Sequence, residues 1–145
     1  MAAFRFCLLE PIKTPLVNKF YDKHNARGRA TKADQVWVAY KDSEIIAACR
    51  VQDQSGLLFL STLYVDELWR GQRVASQLLA AVTARQKKVV FTFVYQNLID
   101  FYLQNGFNYI LTLPNSLQSL FELYAHRQIV AMHFTRDPEL SLKHH

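Results

Sequence analysis

The chain has 145 residues, half of them hydrophobic, which is the size and composition of one domain with one core. Its net charge of +5 is a mild bias toward anionic partners, far weaker than the basic stripes of dedicated DNA-binding proteins. No apolar run approaches the length of a membrane-spanning helix, and the N-terminal run MAAFRFCLLEP is too short for a signal peptide. We therefore predict a single domain, residues 1–145, that is not embedded in a membrane.

The first predicted elements are a strand at residues 4–9 and a helix that Thr14 caps and Pro15 opens. The helix runs to about His24, and the polar, basic residues 25–34 are predicted to form a loop. Cys7 and Cys49 lie in separate apolar runs with no shared local spacing. Buried free thiols in a reducing compartment are the expectation for such cysteines, which favours a cytoplasmic location.

Three strands follow, with sequences QVWVAYKD, EIIAACRVQDQ and LLFLSTLYV. The short turns KDSE and DQSG between them predict an antiparallel meander. In the first of these strands Val36, Val38 and Tyr40 alternate with other residues, as in a half-buried strand. The last of the three ends at Val65, immediately before an acidic turn.

A helix over Val74–Gln86 is predicted next, with its apolar residues on one face. The apolar run VVFTFVY then predicts a central strand, parallel to the strand before the helix. Asn97 is predicted to cap a short helix that Gly106 ends. A strand (FNYILTL), a helix (NSLQSLFELYAHRQ) and a last strand (IVAMHFT) complete the order β-α-β-β-β-α-β-α-β-α-β.

The segment LYVDELWRGQRVAS joins the fourth strand to the second helix and is suited to anion binding. The first turn of a helix has unpaired N–H groups and a partial positive charge, so it binds phosphate readily. Gly71 permits a close backbone approach, and the guanidinium groups of Arg70 and Arg73 can grip phosphate oxygens. An ordinary strand–helix turn with solvated arginines explains the same residues equally well.

The order of two motifs resembles the GNAT family of acyl-CoA N-acyltransferases. The family's phosphate loop runs Gln/Arg-x-x-Gly-x-Gly/Ala, and here Arg70 and Ala75 match its ends while Arg73 replaces the inner glycine. The family's second signature is a tyrosine four residues before Gly-Phe, which Tyr102 and Gly106 match together with the following phenylalanine. The resemblance extends to the strand–helix order and so spans nearly the whole chain.

The resemblance implies an α/β (α+β) fold, the acyl-CoA N-acyltransferase fold. Its mixed, strongly twisted sheet has six to seven strands flanked by helices, with a splay between strands 4 and 5. Acetyl-CoA, the cosubstrate, would lie in that cleft, with its pantetheine on the fourth strand and its pyrophosphate on the helix start. The residues expected to contact it are Leu63, Tyr64, Val65, Arg70, Gly71, Gln72, Arg73, Val74, Ala75, Ser76 and Asn97.

The implied reaction is direct transfer of an acetyl group to a primary amine. A backbone N–H near Leu63 or Tyr64 would stabilise the oxyanion, and Tyr102 would protonate the leaving thiolate. A core aromatic residue is the alternative for Tyr102. The general base stays unassigned, and water can relay the proton instead. The candidates are Asp66 and Glu67, followed by Glu10 and His24.

The acceptor is expected to be a small-molecule or peptide amine. Its site would have one wall formed by residues 14–34. These residues carry a cluster of basic residues, for which a solvated charged surface is the commoner explanation. A homodimer through the late strands is a further possibility, and no metal is expected. Two alternative functions stay open: a non-catalytic module that binds or senses CoA, and, with less support, a nucleic-acid-binding domain that uses the basic loop.

Overall fold

The computed structural model describes residues 3–136, which contain seven strands and four α-helices in the predicted order. The strands are β1 (Phe4–Leu8), β2 (Gln35–Lys41), β3 (Glu44–Gln54), β4 (Leu57–Val65), β5 (Val90–Tyr95), β6 (Asn108–Tyr109) and β7 (Ile129–Phe134). The helices are α1 (Thr14–Lys23), α2 (Val74–Arg85), α3 (Ile99–Gln104) and α4 (Asn115–Tyr124). None of these helices has the length and apolarity that a membrane crossing requires.

The strands form one mixed sheet in the order β1-β2-β3-β4-β5-β7-β6. The β4–β5 pair is parallel, as predicted, because α2 crosses from the end of β4 to the start of β5. Its ladder pairs only Leu58–Leu60 with Val90–Thr92, and the Thr92 hydroxyl donates to the Leu60 carbonyl at 2.9 Å. β4 continues to Val65 beyond this ladder.

The described residues divide into two compact units. The first contains the chain up to Gln52 together with Ser61–Arg85, and the second contains Asp53–Leu60 and the chain from Gln86 onward. In the first unit α1 packs its buried residues Val17, Phe20 and Tyr21 against β2 and β3. The other helix of this unit, α2, lies against β1 and β2.

Two predictions for the first unit are wrong in detail. Residues Val36–Ala39 of β2 are all buried, so both faces of this strand are covered and it is not half-buried. Thr14 is the first residue of α1 and does not cap it: Lys13 occupies the N-cap position. The Thr14 hydroxyl donates to the Pro11 carbonyl of the preceding 3-10 turn at 2.7 Å, so it accepts no helix N–H in the manner of a cap.

In the second unit β5 is central and lies between β4 and β7. The predicted strand FNYILTL is reduced to Asn108–Tyr109, which pairs with His133 and Met132 of β7. β7 pairs with β5 along its whole length but with β6 only at Met132 and His133, so the segment IVAMHF has strand partners on both sides only at these two residues.

Candidate active site

The segment between β4 and α2 makes a tight turn, and all of it belongs to the first unit. Asp66 begins a 3-10 helix (Glu67–Trp69) by accepting a hydrogen bond from the Leu68 amide at 3.0 Å. The backbone is extended at Arg70 and left-handed at Gly71, with φ of 81°. The chain thus reverses direction between the end of β4 and the start of α2.

The first amides of α2 have no acceptor within the described part of the chain. The carbonyl of Arg73 accepts from the backbone N–H of Gln77 at 3.0 Å and from its side-chain amide at 3.2 Å. Gln77 is therefore the first residue of α2 whose backbone N–H is hydrogen-bonded within the helix. The N–H groups of Val74, Ala75 and Ser76 have no acceptor among the carbonyls and side chains of residues 3–136. Three amides and the positive end of the α2 dipole therefore converge on one place.

Arg70 holds the end of β4 against this turn. Its Nε donates to the Val65 carbonyl at 3.0 Å, and its guanidinium lies 5.1 Å from the centre of the Tyr64 ring. A cation over an aromatic face is stabilised by the ring quadrupole. The structure thus brings Leu63–Val65, predicted to pair with pantetheine, next to the loop predicted to bind pyrophosphate.

The other two predicted site residues belong to the second unit. Tyr102, in α3, is 6% exposed, and its ring lies edge-on to the rings of Phe101 and Phe107 at 5.2 and 5.3 Å. Gly106 follows the helix with φ of 91°, as predicted for its C-terminal position. The Phe107 amide donates back to the Tyr102 carbonyl at 3.0 Å, which completes the helix end.

Asn97 does not cap α3, contrary to the prediction. It lies inside a short 3-10 helix, Gln96–Leu98, which has Tyr95 at its N-cap and no side-chain capping bond. α3 then starts at Ile99, with Leu98 at its N-cap. The 3-10 helix leads directly into α3, so the first turn of α3 does not require a cap from the exposed Asn97 side chain.

The family model described as Acetyltransferase (GNAT) domain matches residues 32–109, more than half of the chain. The chain belongs to the GNAT family of acetyltransferases. No match is found among curated proteins.

Solved GNAT structures have the same fold. A GNAT acetyltransferase from Staphylococcus aureus Mu50 gives a TM-score of 0.67 at 16% identity, over 93% of this chain and 100% of that chain. YhbS from Escherichia coli, in complex with CoA, gives 0.64 at 15% identity, over 97% and 86%. Naa50 from Arabidopsis thaliana, in complex with the bisubstrate analogue CoA-Ac-MVNAL, gives 0.63 at 16%, over 91% and 98%. At these identities the likeness establishes the fold.

The departure from the GNAT loop pattern lies at Arg73, where the family has its inner glycine. Arg73 has φ of 62°, so the arginine takes a left-handed conformation of the kind that glycine adopts freely. For an ordinary residue this conformation costs roughly 1–2 kcal/mol. Its side chain is exposed. The GNAT turn is therefore kept without the glycine, at some expense in stability.

The candidate bases of the GNAT reaction have different surroundings. Asp66 lies 3.5 Å from His24, and both side chains are largely buried, with 16% and 14% of their surface exposed. Glu10 and Glu67 are exposed. Asp66 thus accepts a hydrogen bond from the Leu68 amide and lies near His24 without a hydrogen bond to it, and Glu67 is the exposed carboxylate of the same turn.

Three residues of the first unit that no sequence pattern singled out are joined by hydrogen bonds: Tyr21, Arg50 and Thr62. Thr62 interrupts the regular backbone of β4 with φ of 55°, and the other two donate hydrogen bonds to it. One signal was available, since Arg50 is a charged residue within the apolar run IIAACRV and is only 8% exposed. A buried arginine must be paired, so its partners mark a place of structural importance.

Proposed function

We propose that this chain catalyses transfer of the acetyl group of acetyl-CoA to an amine, with the cosubstrate diphosphate on the amides of Val74–Ser76. The observation that carries the assignment is the set of unpaired N–H groups at the start of α2, held by a loop that keeps its turn through Arg73. These donors match the charge of a diphosphate and lie at the positive end of the helix dipole. Gly71 and Gln72 complete the loop around it.

The pantetheine arm is proposed to pair with the backbone of Leu63–Val65, which follows the short β4–β5 ladder. Such neutral amide pairs fix the thioester without discriminating between ground state and transition state. The guanidinium groups of Arg70 and Arg73 add charge-assisted contacts to phosphate oxygens. Asn97 is proposed as a further contact from the second unit.

In the proposed reaction the neutral amine attacks the thioester carbonyl directly. The backbone N–H of Leu63 or Tyr64 donates to the oxyanion that forms, which is where preorganised donors have their largest effect. Tyr102 gives its proton to the departing thiolate, since an ordinary phenol is protonated at neutral pH. The amine loses its own proton to a base or to water.

The acceptor is proposed to be a small-molecule or peptide amine. The bisubstrate analogue bound by Naa50, a structural neighbour, supports a peptide acceptor. The basic residues of α1 and of the loop after it favour an acceptor that carries an acidic group. A panel of amines with detection of released thiol distinguishes this enzyme from a module that binds CoA without turnover.

We propose further that residues 1–145 act as one domain in the cytoplasm. The family match extends across residues of both compact units, which supports a single functional domain. Cys7 and Cys49 are both free thiols, which supports a reducing location; Cys49 is buried, as predicted, whereas Cys7 is only partly buried. A homodimer is also proposed, and its test is the mass in solution with and without acetyl-CoA.

The experiment that tests the assignment removes one of the three free amides. Ala75→Pro deletes the N–H at the second position of α2 without breaking a helix hydrogen bond, and Pro15 occupies the same position in α1. Ser116→Pro makes the same change in α4 and is the matched control. A ligand at a hundred times its Kd stabilises a protein by about 2.7 kcal/mol, so binding is read as a thermal shift.

We expect acetyl-CoA to stabilise the unaltered chain and the Ser116→Pro variant equally. For Ala75→Pro we expect binding to weaken about tenfold or more, because a hydrogen bond to a charged group contributes about 1.5–3 kcal/mol. Its melting temperature without ligand should match that of the control. Equal affinities of the two proline variants would refute the proposed diphosphate site.

A further inference from the structure

Thr62 has an unusual backbone at a place where the reaction depends on backbone position. It lies within β4, three residues from its end, and its φ of 55° is left-handed. A β-branched residue rarely adopts this conformation, because the groups on Cβ crowd the neighbouring backbone. The turn at Thr62 sets the direction of Leu63–Val65. Interactions with residues outside β4 must therefore stabilise this conformation of Thr62.

Two buried side chains donate hydrogen bonds to Thr62, one to its carbonyl oxygen and one to its hydroxyl oxygen. Tyr21 Oη, from α1, donates to the Thr62 carbonyl oxygen at 2.9 Å. Arg50 Nε, from β3, donates to Thr62 Oγ1 at 3.1 Å. Tyr21 is 0% and Arg50 is 8% exposed, so bulk water does not compete for these bonds. We name these three residues the Thr62 clasp.

Arg50 is itself fixed from the loop between α1 and β2. Its Nη1 lies 3.3 Å from Asp34 Oδ2, with only 10% and 8% of the two side chains exposed, and it also donates to the Arg29 carbonyl. A buried guanidinium with paired N–H groups has little freedom to turn. Arg50 thus transmits the position of this loop to the hydroxyl of Thr62.

Gly28 of the same loop packs directly on the clasp. A Cβ at this position would lie 3.0 Å from Thr62 Oγ1 and 3.2 Å from Arg50 Nη2, and the φ of Gly28 is 88°. The contact leaves no room for a side chain. The loop therefore covers the clasp and excludes water from it.

We propose that Tyr21 and Arg50 are positioning residues for acetyl transfer. By holding Thr62 in its left-handed conformation they place the backbone N–H groups of Leu63 and Tyr64, one of which donates to the oxyanion; this inference rests on the proposed function. Both residues are buried and act through Thr62. Burial raises the pKa of Tyr21, so its hydroxyl remains a donor throughout the physiological range.

The test compares Tyr21→Phe and Thr62→Val, each of which removes one polar group and keeps the shape of the side chain. Thr83→Val is the matched control, since Thr83 is a buried threonine of α2 whose hydroxyl donates to the Leu79 carbonyl. We expect kcat to fall about tenfold or more in the two clasp variants, with a smaller change in KM for acetyl-CoA, because a displaced oxyanion donor acts on the transition state. The control should retain its kcat.

A rescue separates positioning from folding. Glycine adopts a left-handed φ without help, so Thr62→Gly introduced into Tyr21→Phe should restore much of the lost kcat. The three-bond coupling between the amide and α protons of residue 62, measured by NMR, reports φ without any activity. We expect this coupling to move toward the extended value in Tyr21→Phe and to be unchanged in Thr83→Val.

An unchanged coupling in Tyr21→Phe, or a loss of kcat no larger than in Thr83→Val, would overturn the inference. A wild-type chain that fails to bind acetyl-CoA would instead overturn the proposed function. In that case the coupling still decides whether Tyr21 sets the backbone at Thr62. The two failures are therefore distinguishable.

Discussion

Nε2 of His24 lies 3.5 Å from Oδ2 of Asp66, which ties the end of α1 to the residue that follows β4. The His24 ring packs between Phe20 and Tyr64, with ring centres 4.8 and 5.3 Å away. The other carboxylate oxygen of Asp66 accepts from the Leu68 amide. Asp66 thus accepts one hydrogen bond, from the Leu68 amide, and lies near His24 Nε2, which has no hydrogen-bond partner among the described residues.

Replacing Asp66 should affect stability more than catalysis. Asp66→Asn keeps an oxygen for the Leu68 amide, whereas Asp66→Ala leaves that amide without its cap, which typically costs about 1 kcal/mol. We expect urea unfolding to show this difference between the two variants, with kcat of Asp66→Asn within about threefold of wild type. Glu44→Gln, at an exposed carboxylate of β3, is the control. A loss of kcat of about a hundredfold in Asp66→Asn, without lost stability, would identify Asp66 as the base.

Replacing Arg73 by glycine should stabilise the fold and weaken binding. Glycine removes the penalty of φ at 62° but adds freedom to the unfolded chain, so the free energy of unfolding should rise by about 0.5–1 kcal/mol. Loss of the guanidinium should weaken acetyl-CoA binding severalfold at low salt and less at high salt. Gln128→Gly is the control, because Gln128 has φ of 56° in the second unit. It should gain stability with unchanged affinity, and equal affinities of the two variants at every salt concentration would contradict the prediction.

Tyr102→Phe should separate catalysis from binding. Removing the phenolic proton donor should lower kcat by about a hundredfold, the lower end of general acid catalysis, while Kd for acetyl-CoA changes little. Steady-state thiol release and calorimetric titration measure the two quantities. Tyr109→Phe, at a residue that is 55% exposed, should leave both unchanged. Full activity in Tyr102→Phe would return Tyr102 to a packing role beside Phe101 and Phe107.

Alanine at Gly28 should be more harmful than alanine at Gly56. Both glycines have nearly the same left-handed φ, 88° and 86°, so both variants carry the same backbone penalty. Only at Gly28 does the added Cβ meet neighbouring atoms, and overpacking costs typically about 1–3 kcal/mol. We expect Gly28→Ala to unfold at lower urea by this additional amount. Equal midpoints would show that the loop moves away without resistance.

The free energy of unfolding should fall at alkaline pH because of Cys49. Burial raises the pKa of this thiol, so the folded chain keeps a proton that the unfolded chain releases above its ordinary pKa of about 8.5. Between that pH and the raised folded pKa, stability drops by about 1.4 kcal/mol per pH unit from this group. Cys49→Ala should show a shallower decline between pH 9 and 10, measured by urea unfolding at each pH. Parallel curves would contradict the prediction.

Regular patterns made α2 and the end of α3 predictable. The residues Val74, Leu78 and Val82 recur at helical spacing, and all are buried. Gly106 marks the end of α3 because few other residues adopt φ of 91° easily. In both places the local sequence alone determines the structure, so the residue types are sufficient to predict it.

The sixth strand shows where local patterns are insufficient. The segment FNYILTL has strand-forming residues, but only Asn108–Tyr109 pairs with β7. Ile110 and Leu113 instead pack against the cluster around Phe91 and Leu117. Whether an apolar residue extends a ladder or fills a core depends on partners elsewhere in the chain, which a single segment does not contain.

The sequence predicted the loop of the candidate site. It did not predict the backbone conformation of Thr62 or the side chains that bond to this residue. A turn with one glycine before an apolar helix indicated the free amides of Val74–Ser76. The left-handed backbone of Thr62 had no counterpart in residue type, since threonine favours extended strands. Such a conformation follows only from tertiary bonds, here those from Tyr21 and Arg50.

The torsion at Arg73 bears on how relatives of this chain are recognised and redesigned. A search pattern that demands glycine at the inner loop position selects a residue type, whereas the fold selects a backbone angle that an arginine can supply. Patterns written on torsion angles would gather chains with substituted loops that letter-based patterns discard. The same position offers protein engineers a charged side chain at the proposed diphosphate site for tuning the affinity for CoA.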